Sequence, residues 1–306
     1  MSADLIEQLK TRQRTAGALR RPWGVAPRKT GDALLASDCL FVSDVHLFKP
    51  EDANTRLLID LIGRLASDDG ELGAVRHLFL VGDIFEFIDA SSSYFRMMWC
   101  SLFEALAELR DRGANVYFIE GNHDFGFGAE IGQRIDGARA GWSQGWATFA
   151  GDAGLDFEHP ALGPLHVRHG DDVVTEHGYL LFRAFVKSRI AGRILRLVPS
   201  APAHHFFLGL ARLSRRAGSG YDLALDKIHR DVKRFLACHP ELRLGTLIIG
   251  HIHVYLDTCV GDTRVLSGPD WHTAPSYLLL TKEGLFSRKF LDPARTVPVL
   301  REQPDP

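Results

Sequence analysis

Cysteine is scarce in this sequence, and long apolar runs are absent. Its four cysteines (Cys39, Cys100, Cys238 and Cys259) lie far apart and form no CxxC pair. This spacing excludes a disulfide-stapled miniprotein and a thiolate zinc site, and it fits a reducing compartment. No apolar run reaches the roughly 18 residues that a membrane-spanning helix needs. The first 21 residues also lack the apolar core of a signal peptide. We therefore expect a cytoplasmic protein.

Excess charge of one sign is also missing. The formal net charge is −2, so a global attraction for nucleic acid or for an anionic membrane is not expected. With 306 residues, 45% of them hydrophobic and 24% charged, the composition is that of a globular protein rather than a disordered one. The length allows one large domain or two. We predict an N-terminal arm over residues 1–37, one domain over 38–295 and a tail over 296–306.

Hydrophobic patterning predicts a layered α/β fold. Strand-like runs at 39–43, 77–81 and 115–119 alternate with helix-like spacing at 53–67 and 94–112. Strand–helix–strand alternation is typical of parallel βαβ units. Further strands are predicted closer to the C-terminus, at 165–168, 246–249, 264–266 and 277–280. A mostly helical stretch separates the first two of these.

Metal-binding residue types follow the ends of five predicted strands. They are Asp44 and His46, Asp83, Asn122, His169, and His251 and His253. Side chains at the carboxyl ends of such strands converge on one crevice. One histidine or one GNHD turn is usually structural, but a core would not collect this set, because buried unpaired ionisable groups are costly. Carboxylate, amide and imidazole donors without thiolate suit Mn²⁺, Fe or Zn²⁺. Seven donors suit two ions that share a bridging carboxylate.

These motifs resemble the calcineurin-like metallophosphoesterase superfamily, whose signature is DxH, GD, GNH(D/E), H and GHxH. Here the motifs occupy residues 44–46, 82–83, 121–124, 169 and 250–253. The resemblance implies a β-sandwich flanked by helices, with two divalent metal ions, Mn²⁺ first and Fe or Zn²⁺ as alternatives. It also implies the ligand sets. One ion is held by Asp44, His46, Asp83 and His253, and the second by the bridging Asp83 with Asn122, His169 and His251.

A second group of motifs resembles one branch, the UDP-2,3-diacylglucosamine pyrophosphohydrolases of lipid A biosynthesis. These motifs are GDIFE at 82–86, HGD at 169–171, GYLLFR at 178–183 and DWHT at 270–273. The resemblance implies hydrolysis of a nucleotide-sugar lipid to UMP and a lipid monophosphate. It also implies four substrate contacts: Tyr179, Arg183, Trp271 and His272. Two features depart from this branch: His123 stands where arginine is usual, and the arm over residues 1–37 is additional.

A dinuclear centre would generate hydroxide near neutral pH and neutralise phosphoryl oxygens. The hypothesis is that metal-bound hydroxide attacks phosphorus directly, without a phosphoenzyme. His123 is the candidate for stabilising the transition state or protonating the leaving oxygen, and Asp124 for orienting its imidazole. A plain turn cap is an equally good interpretation of Asp124.

Residues 178–236 predict a helical insertion that covers the site. Its part from 178 to 217 has arginines and a lysine but no acidic residue, and apolar residues share one helical side. Such a lid suits peripheral contact with the cytoplasmic face of the inner membrane. A lid packed on the core with a solvated charged face is the alternative.

Other functions stay open at this point. One is a phosphodiesterase or nucleotide-phosphate hydrolase with a non-lipid substrate. Another is a non-catalytic binding module, which would require lost ligands, although all seven are present. Nucleic acid is not expected as a partner, because the basic stretch is short and aliphatic. The sequence makes no prediction of oligomeric state.

Overall fold

The computed structural model describes residues 35–67, 70–89, 93–125, 147–150, 154–173, 225–240, 245–268, 271 and 274–291. Most of the predicted lid lies outside the described residues, as do the arm up to residue 34 and the predicted tail. Tyr179, Arg183 and His272 are outside them as well. Within the described part of the chain, no helix is both long and apolar enough to cross a bilayer.

Two mixed β-sheets form the centre of the molecule. The first has six strands in the order β13-β12-β1-β2-β4-β6. These strands are β1 Asp38–Val42, β2 Val75–Val81, β4 Asn115–Ile119, β6 Thr148–Ala150, β12 Ser276–Leu280 and β13 Phe286–Phe290. Strands β1, β2, β4 and β6 are parallel, whereas β12 runs antiparallel to both of its neighbours.

The second sheet has five strands in the order β10-β11-β9-β8-β7. Its strands are β7 Leu155–His159, β8 Gly163–Val167, β9 Thr246–Ile249, β10 Leu256–Val260 and β11 Thr263–Ser267. Strands β8, β9 and β11 are parallel, and the outer two are antiparallel to their neighbours. A small parallel pair, β3 Ile88–Asp89 and β5 Asp124–Phe125, lies in the connections.

Four α-helices are described, and their bounds are α1 Ala53–Ala66, α2 Ser93–Met98, α3 Cys100–Asp111 and α4 Leu225–Cys238. Helix α1 buries leucine and isoleucine at helical spacing, as the sequence predicted. The helical segment predicted over 94–112 is present as α2 and α3, which are separated only at Trp99. The buried indole of Trp99 packs against Phe85 with ring centroids 5.1 Å apart. Backbone hydrogen bonds of helical type, from Trp99 N–H to Phe95 and from Phe103 N–H to Trp99, continue across this point.

Side-chain alternation divides the core into layers. Phe41, Phe79 and Tyr117 face the second sheet and stack at centroid distances of 4.6 and 4.5 Å. Phe157 of the second sheet meets Phe79 edge-on at 5.1 Å. The other residues of β1, β2 and β4, which point to the opposite face of the first sheet, pack against α1 and α3. On the outer face of the second sheet, residues of β9 and β11 pack against α4. The predicted α/β sandwich flanked by helices is thus confirmed for the described residues.

Leu35 belongs to the folded domain, although the predicted boundary fell after residue 37. Its side chain is fully buried in the layer between the sheets. Its backbone N–H donates to the carbonyl of Glu158 at 2.9 Å. The chain therefore joins the core at least three residues before β1 begins.

The loops after β1, β2, β8 and β9 meet at one edge of the sandwich. The N–H groups of Asp44 and His46 donate to the carbonyls of Gly82 and Asp83 at 3.1 and 2.9 Å. The N–H of Gly250 donates to the carbonyl of His169 at 2.8 Å. Parallel strands in both sheets thus direct their carboxyl ends, and the polar residues that follow them, to a common site.

Candidate metal centre

Five residues other than glycine have positive φ in the described part of the chain, and all five are predicted ligands. They are Asp44 (52°), His46 (51°), Asp83 (51°), His251 (69°) and His253 (53°). This left-handed region is unfavourable for side chains with a Cβ, and such strain concentrates at functional sites. The strain falls on the predicted site rather than on ordinary turns. This supports a functional role for these residues.

The first ligand group consists of Asp44, His46 and His253. One ligand atom from each lies within 4.8 Å of the others. The Nε2 atoms of His46 and His253 are 3.3 Å apart, and His253 Nε2 is 3.6 Å from Asp44 Oδ1. The N–H of His251 donates to both oxygens of Asp44, which fixes the carboxylate.

The second group consists of Asp83, His169 and His251, again within 4.8 Å of one another. Asn122 belongs with them, since its Oδ1 is 3.1 Å from both His169 Nε2 and His251 Nδ1. Asp83 Oδ2 lies 3.4 Å from His169 Nε2 and 3.9 Å from His46 Nε2. The carboxylate of Asp83 therefore stands between the two groups, where a bridging ligand would lie.

The donor chemistry at this site fits a cation. His169 Nδ1 lies 3.1 Å from the carbonyl of Val81, and because a carbonyl only accepts, Nδ1 carries the proton. The lone pair on Nε2 of a neutral ring then faces the oxygens of Asp83 and Asn122, a repulsive arrangement that a metal ion or a proton relieves. Burial lowers the pKa of His169, but the carboxylate of Asp83 outweighs it and raises that pKa to about 10.

Neighbouring groups have pKa values that suit metal binding. Burial opposes ionisation of Asp83, but the positive charges of His169 and His123 outweigh it and hold the pKa of Asp83 well below its ordinary value. Burial, reinforced by His169, lowers the pKa of His251 to about 3. A carboxylate that stays ionised and an imidazole that stays neutral are the forms that bind metals.

Two glycines make the close packing of this site feasible. A Cβ added to Gly121 would lie 2.1 Å from Asp83 Oδ1, and one added to Gly82 would lie 2.3 Å from His169 Nδ1. Gly82 also has a φ of +74°. The loops can therefore approach the ligands this closely only where side chains are absent.

His123 lies beside both groups, on the more open side. Its Nε2 is 4.0 Å from Asp83 Oδ2, and its ring meets that of His46 edge-on at 4.9 Å. His46, Asp83 and His123 also place ligand atoms within 4.8 Å of one another. The side chains of His123 and His253 are 30% and 42% exposed, whereas those of His46 and Asp83 are buried. The geometry thus leaves His123 accessible from solvent.

The hydrogen bonds of Asp124 run to backbone N–H groups, as the turn-cap interpretation expects. Its Oδ1 accepts from the N–H groups of Gly121 at 2.6 Å and Asp83 at 3.1 Å, and its Oδ2 from Ile84 at 2.7 Å. Burial and the charge of Asp83 raise the pKa of Asp124 to about 7. This carboxylate ties the loop after β4 to the loop after β2, which agrees with the turn-cap interpretation.

Among the described residues, Glu86 contacts two histidines of the site, although the sequence analysis gave it no role beyond its place in the GDIFE segment. Its backbone carbonyl accepts from Nδ1 of His123 at 2.8 Å, and its buried carboxylate Oε2 lies 3.3 Å from Nδ1 of His46. One residue therefore orients two imidazoles. A signal was present in the sequence, because a glutamate within the apolar run 84–88 has to find a polar partner when it is buried.

Replacing Glu86 with glutamine should weaken metal binding by about 10- to 100-fold, the usual effect of removing a group that orients a ligand. The neutral side-chain amide of glutamine cannot raise the basicity of the His46 imidazole as the carboxylate of Glu86 does. Titration of the metal-free protein with Mn²⁺ measures the change. Glu108→Gln is the matched control, since Glu108 pairs with Arg112 on the exposed face of α3. Equal affinity in both variants would contradict the assigned role.

Trp271, a predicted substrate contact, is fully buried in the apolar layer between the first sheet and its helices. Its role in substrate binding stays a prediction, as do those of Tyr179, Arg183 and His272, which are not described. The seven predicted ligands, by contrast, all lie at the edge where the strands end.

Comparison with known proteins identifies the family. Residues 39–255 match the model of the calcineurin-like phosphoesterases. The chain belongs to this family. It is a metallophosphoesterase, and its His and Asp groups are consistent with a dinuclear metal site.

Individual relatives of this phosphoesterase carry more specific names. It is 26% identical over 279 residues to a UDP-2,3-diacylglucosamine hydrolase of Pseudomonas syringae pv. syringae, covering 85% of this chain and 99% of the relative. It is 25% identical over 240 residues to the enzyme of that name from Neisseria gonorrhoeae, covering 76% and 89%. A solved archaeal phosphodiesterase is 13% identical, with a TM-score of 0.39 over 83% of this chain and 99% of that chain.

Proposed function

We propose that this phosphoesterase hydrolyses the pyrophosphate of UDP-2,3-diacylglucosamine to UMP and a lipid monophosphate. The observation that carries the hydrolytic part is the carboxylate of Asp83 between two groups of imidazole and carboxylate ligands. The substrate rests on similarity to relatives that align over almost their whole length. It rests also on the GDIFE and HGD segments, which resemble those of the lipid A branch.

The proposed ligand sets follow the two groups. Asp44, His46, Asp83 and His253 hold one divalent ion, and Asp83 with Asn122, His169 and His251 holds the other. Mn²⁺ is the first candidate, with Fe and Zn²⁺ as alternatives, because the donors are nitrogen and oxygen atoms. Two bound ions would lower the pKa of a coordinated water and neutralise the phosphoryl oxygens of the substrate.

His123 is the proposed general acid. The carbonyl of Glu86 fixes the Nδ1 proton, which leaves Nε2 to hold or give a second proton. Burial lowers the pKa of His123, but the charges of Asp83 and Glu86 outweigh burial and raise it. The ring therefore stays protonated to a higher pH than an ordinary histidine, as an acid near a leaving oxygen requires.

The contacts to the rest of the substrate are proposed from resemblance alone. Tyr179 and Arg183 in the predicted lid, with Trp271 and His272, would bind the nucleotide-sugar lipid, and the lid would contact the inner membrane. A second candidate function is hydrolysis of another phosphodiester with a non-lipid substrate. The residue that favours it is His123, which replaces the arginine usual in the lipid A enzymes.

The test uses the full chain reloaded with Mn²⁺. We expect hydrolysis of bis-p-nitrophenyl phosphate, and release of UMP and a lipid monophosphate from UDP-2,3-diacylglucosamine, identified by mass spectrometry. UDP-N-acetylglucosamine, which lacks both acyl chains, is the control and should react more slowly. Activity on the aryl diester alone would favour the non-lipid substrate. If the metal-loaded protein hydrolyses neither substrate, the interpretation as a non-catalytic binding module would be favoured.

A further inference from the structure

The loop that carries two candidate metal ligands begins and ends beside one residue, Ser267. This loop spans residues 250–255, between β9 and β10. In the strand register, Ser267 at the end of β11 pairs with Ile249, the last residue of β9. It also pairs with Leu256, the first residue of β10. The backbone of Ser267 therefore closes the loop at its base.

The side chain of Ser267 holds the same loop from within. It is fully buried, and its hydroxyl donates a hydrogen bond to the carbonyl of Val254. Val254 directly follows His253, one of the two ligands on the loop. The contact thus fixes the backbone one residue beyond His253, and it joins the end of β11 to the C-terminal half of the loop.

His253 is a ligand whose backbone has to be held in place. Its φ is +53°, in the left-handed region, and a residue with a Cβ stays there only when the surrounding structure fixes it. Its side chain is 42% exposed, so little packing holds the imidazole itself. The hydrogen bond that follows it in the chain is therefore a means of fixing its position.

The N-terminal half of the loop has supports of its own. The N–H of His251 donates to both carboxylate oxygens of Asp44, at 2.9 and 3.1 Å. The N–H of Ile252 donates to the carbonyl of Gly250 at 2.8 Å. The two histidines of the loop are thus fixed by different contacts, and the hydroxyl of Ser267 acts on the half that contains His253.

We infer that Ser267 is a positioning residue that holds His253 where it can bind a metal ion. In the proposed ligand sets, on which this inference rests, His253 binds the first ion together with Asp44, His46 and Asp83. Its Nε2 lies 3.3 Å from His46 Nε2 and 3.6 Å from Asp44 Oδ1. Loss of the Ser267 hydroxyl should weaken binding of the first ion and spare the second.

The experiment titrates the metal-free full chain with Mn²⁺ and follows binding by calorimetry. The native protein should bind two ions. Ser267→Ala should weaken one binding step about tenfold, the effect expected for one buried hydrogen bond that orients a ligand, and leave the other step unchanged. His253→Ala, which removes the ligand itself, identifies the step that belongs to the first ion. Hydrolysis of bis-p-nitrophenyl phosphate by Ser267→Ala should fall at limiting Mn²⁺ and recover at excess Mn²⁺.

Ser276→Ala is the matched control. Ser276 is also a buried serine, and its hydroxyl donates to the carbonyl of Ala274 at 2.7 Å. The substitution removes the same kind of hydrogen bond from a segment that carries none of the seven candidate ligands. Both alanine variants should lose a similar amount of thermal stability, whereas only Ser267→Ala should lose affinity for Mn²⁺.

A double variant tests whether Ser267 acts through His253. Adding Ser267→Ala to His253→Ala should cause no further loss of Mn²⁺ affinity, because coupled residues are not additive. Additive losses, equal losses at both binding steps or native affinity in Ser267→Ala would each overturn the inference. If Ser267→Ala does not fold, Ser267→Cys decides, since its weak S–H donor should give a smaller loss at the same step. A native protein that binds no Mn²⁺ would instead overturn the proposed function.

Discussion

Replacing Asp83 with asparagine should lower kcat/KM for bis-p-nitrophenyl phosphate by about 1,000-fold or more, because loss of a metal site removes several kcal/mol of transition-state stabilisation. Asparagine keeps an Oδ1 to accept the hydrogen bond from the N–H of His123, which is 2.9 Å long in the native chain. The fold should therefore persist. What is lost is the negative charge shared by the two ligand groups.

Metal content distinguishes this explanation from misfolding. Elemental analysis of the reloaded variant should show clearly less bound metal than in the native protein, with an unaltered circular dichroism spectrum. Asp257→Asn is the control, since Asp257 is an aspartate of β10 that pairs with Arg264 and belongs to none of the three candidate ligand groups among the described residues. An Asp83→Asn enzyme with full metal and more than a tenth of the native activity would contradict the bridging role.

His123→Ala should reduce kcat by about 100- to 10,000-fold, the range expected for loss of a positioned general acid. The side chain is partly exposed and lies at the edge of the cluster, so its removal should leave most of the metal bound. Steady-state kinetics and elemental analysis of the same preparation provide both measurements. His229→Ala is the control, because His229 lies on α4 and contacts Thr258 at 2.9 Å.

The metal measurement matters because His123 can also be a ligand, being grouped with His46 and Asp83 within 4.8 Å. Parallel losses of metal and turnover would assign it to the metal rather than to proton transfer. Full activity with full metal would exclude both roles. If His123 donates a proton to the leaving oxygen, the substitution should lower kcat less for a substrate with a better leaving group, because such a group needs less protonation.

Much of the fold was predictable from local pattern. The apolar runs that end at residues 43, 81, 119 and 249 became β1, β2, β4 and β9 to within about two residues, the usual margin for strand ends. The packing of the Trp99 indole against Phe85 across the core was not predictable. Local periodicity carries no information on such a distant contact.

The candidate site, too, was predictable only in part. Its ligand positions could be inferred because all seven follow the ends of five predicted strands, and the carboxyl ends of parallel strands meet at one edge. The sequence could not choose between the two roles of Asp124, because two of its partners, the N–H groups of Asp83 and Ile84, are about 40 residues away in sequence. The sequence gave Glu86 no role for the same reason, since its carboxylate lies beside His46 on a different loop.

The amino-acid sequence alone determined which side chains stand at the strand ends, and with them the type of centre, because donor types and spacing are local properties. Only the tertiary structure decided how those side chains meet. It set Asp83 between two ligand groups, and it placed the carbonyl of Glu86 beside His123 and the Glu86 carboxylate beside His46. Each of these depends on the packing of segments that are distant along the chain, and a linear pattern does not encode that packing.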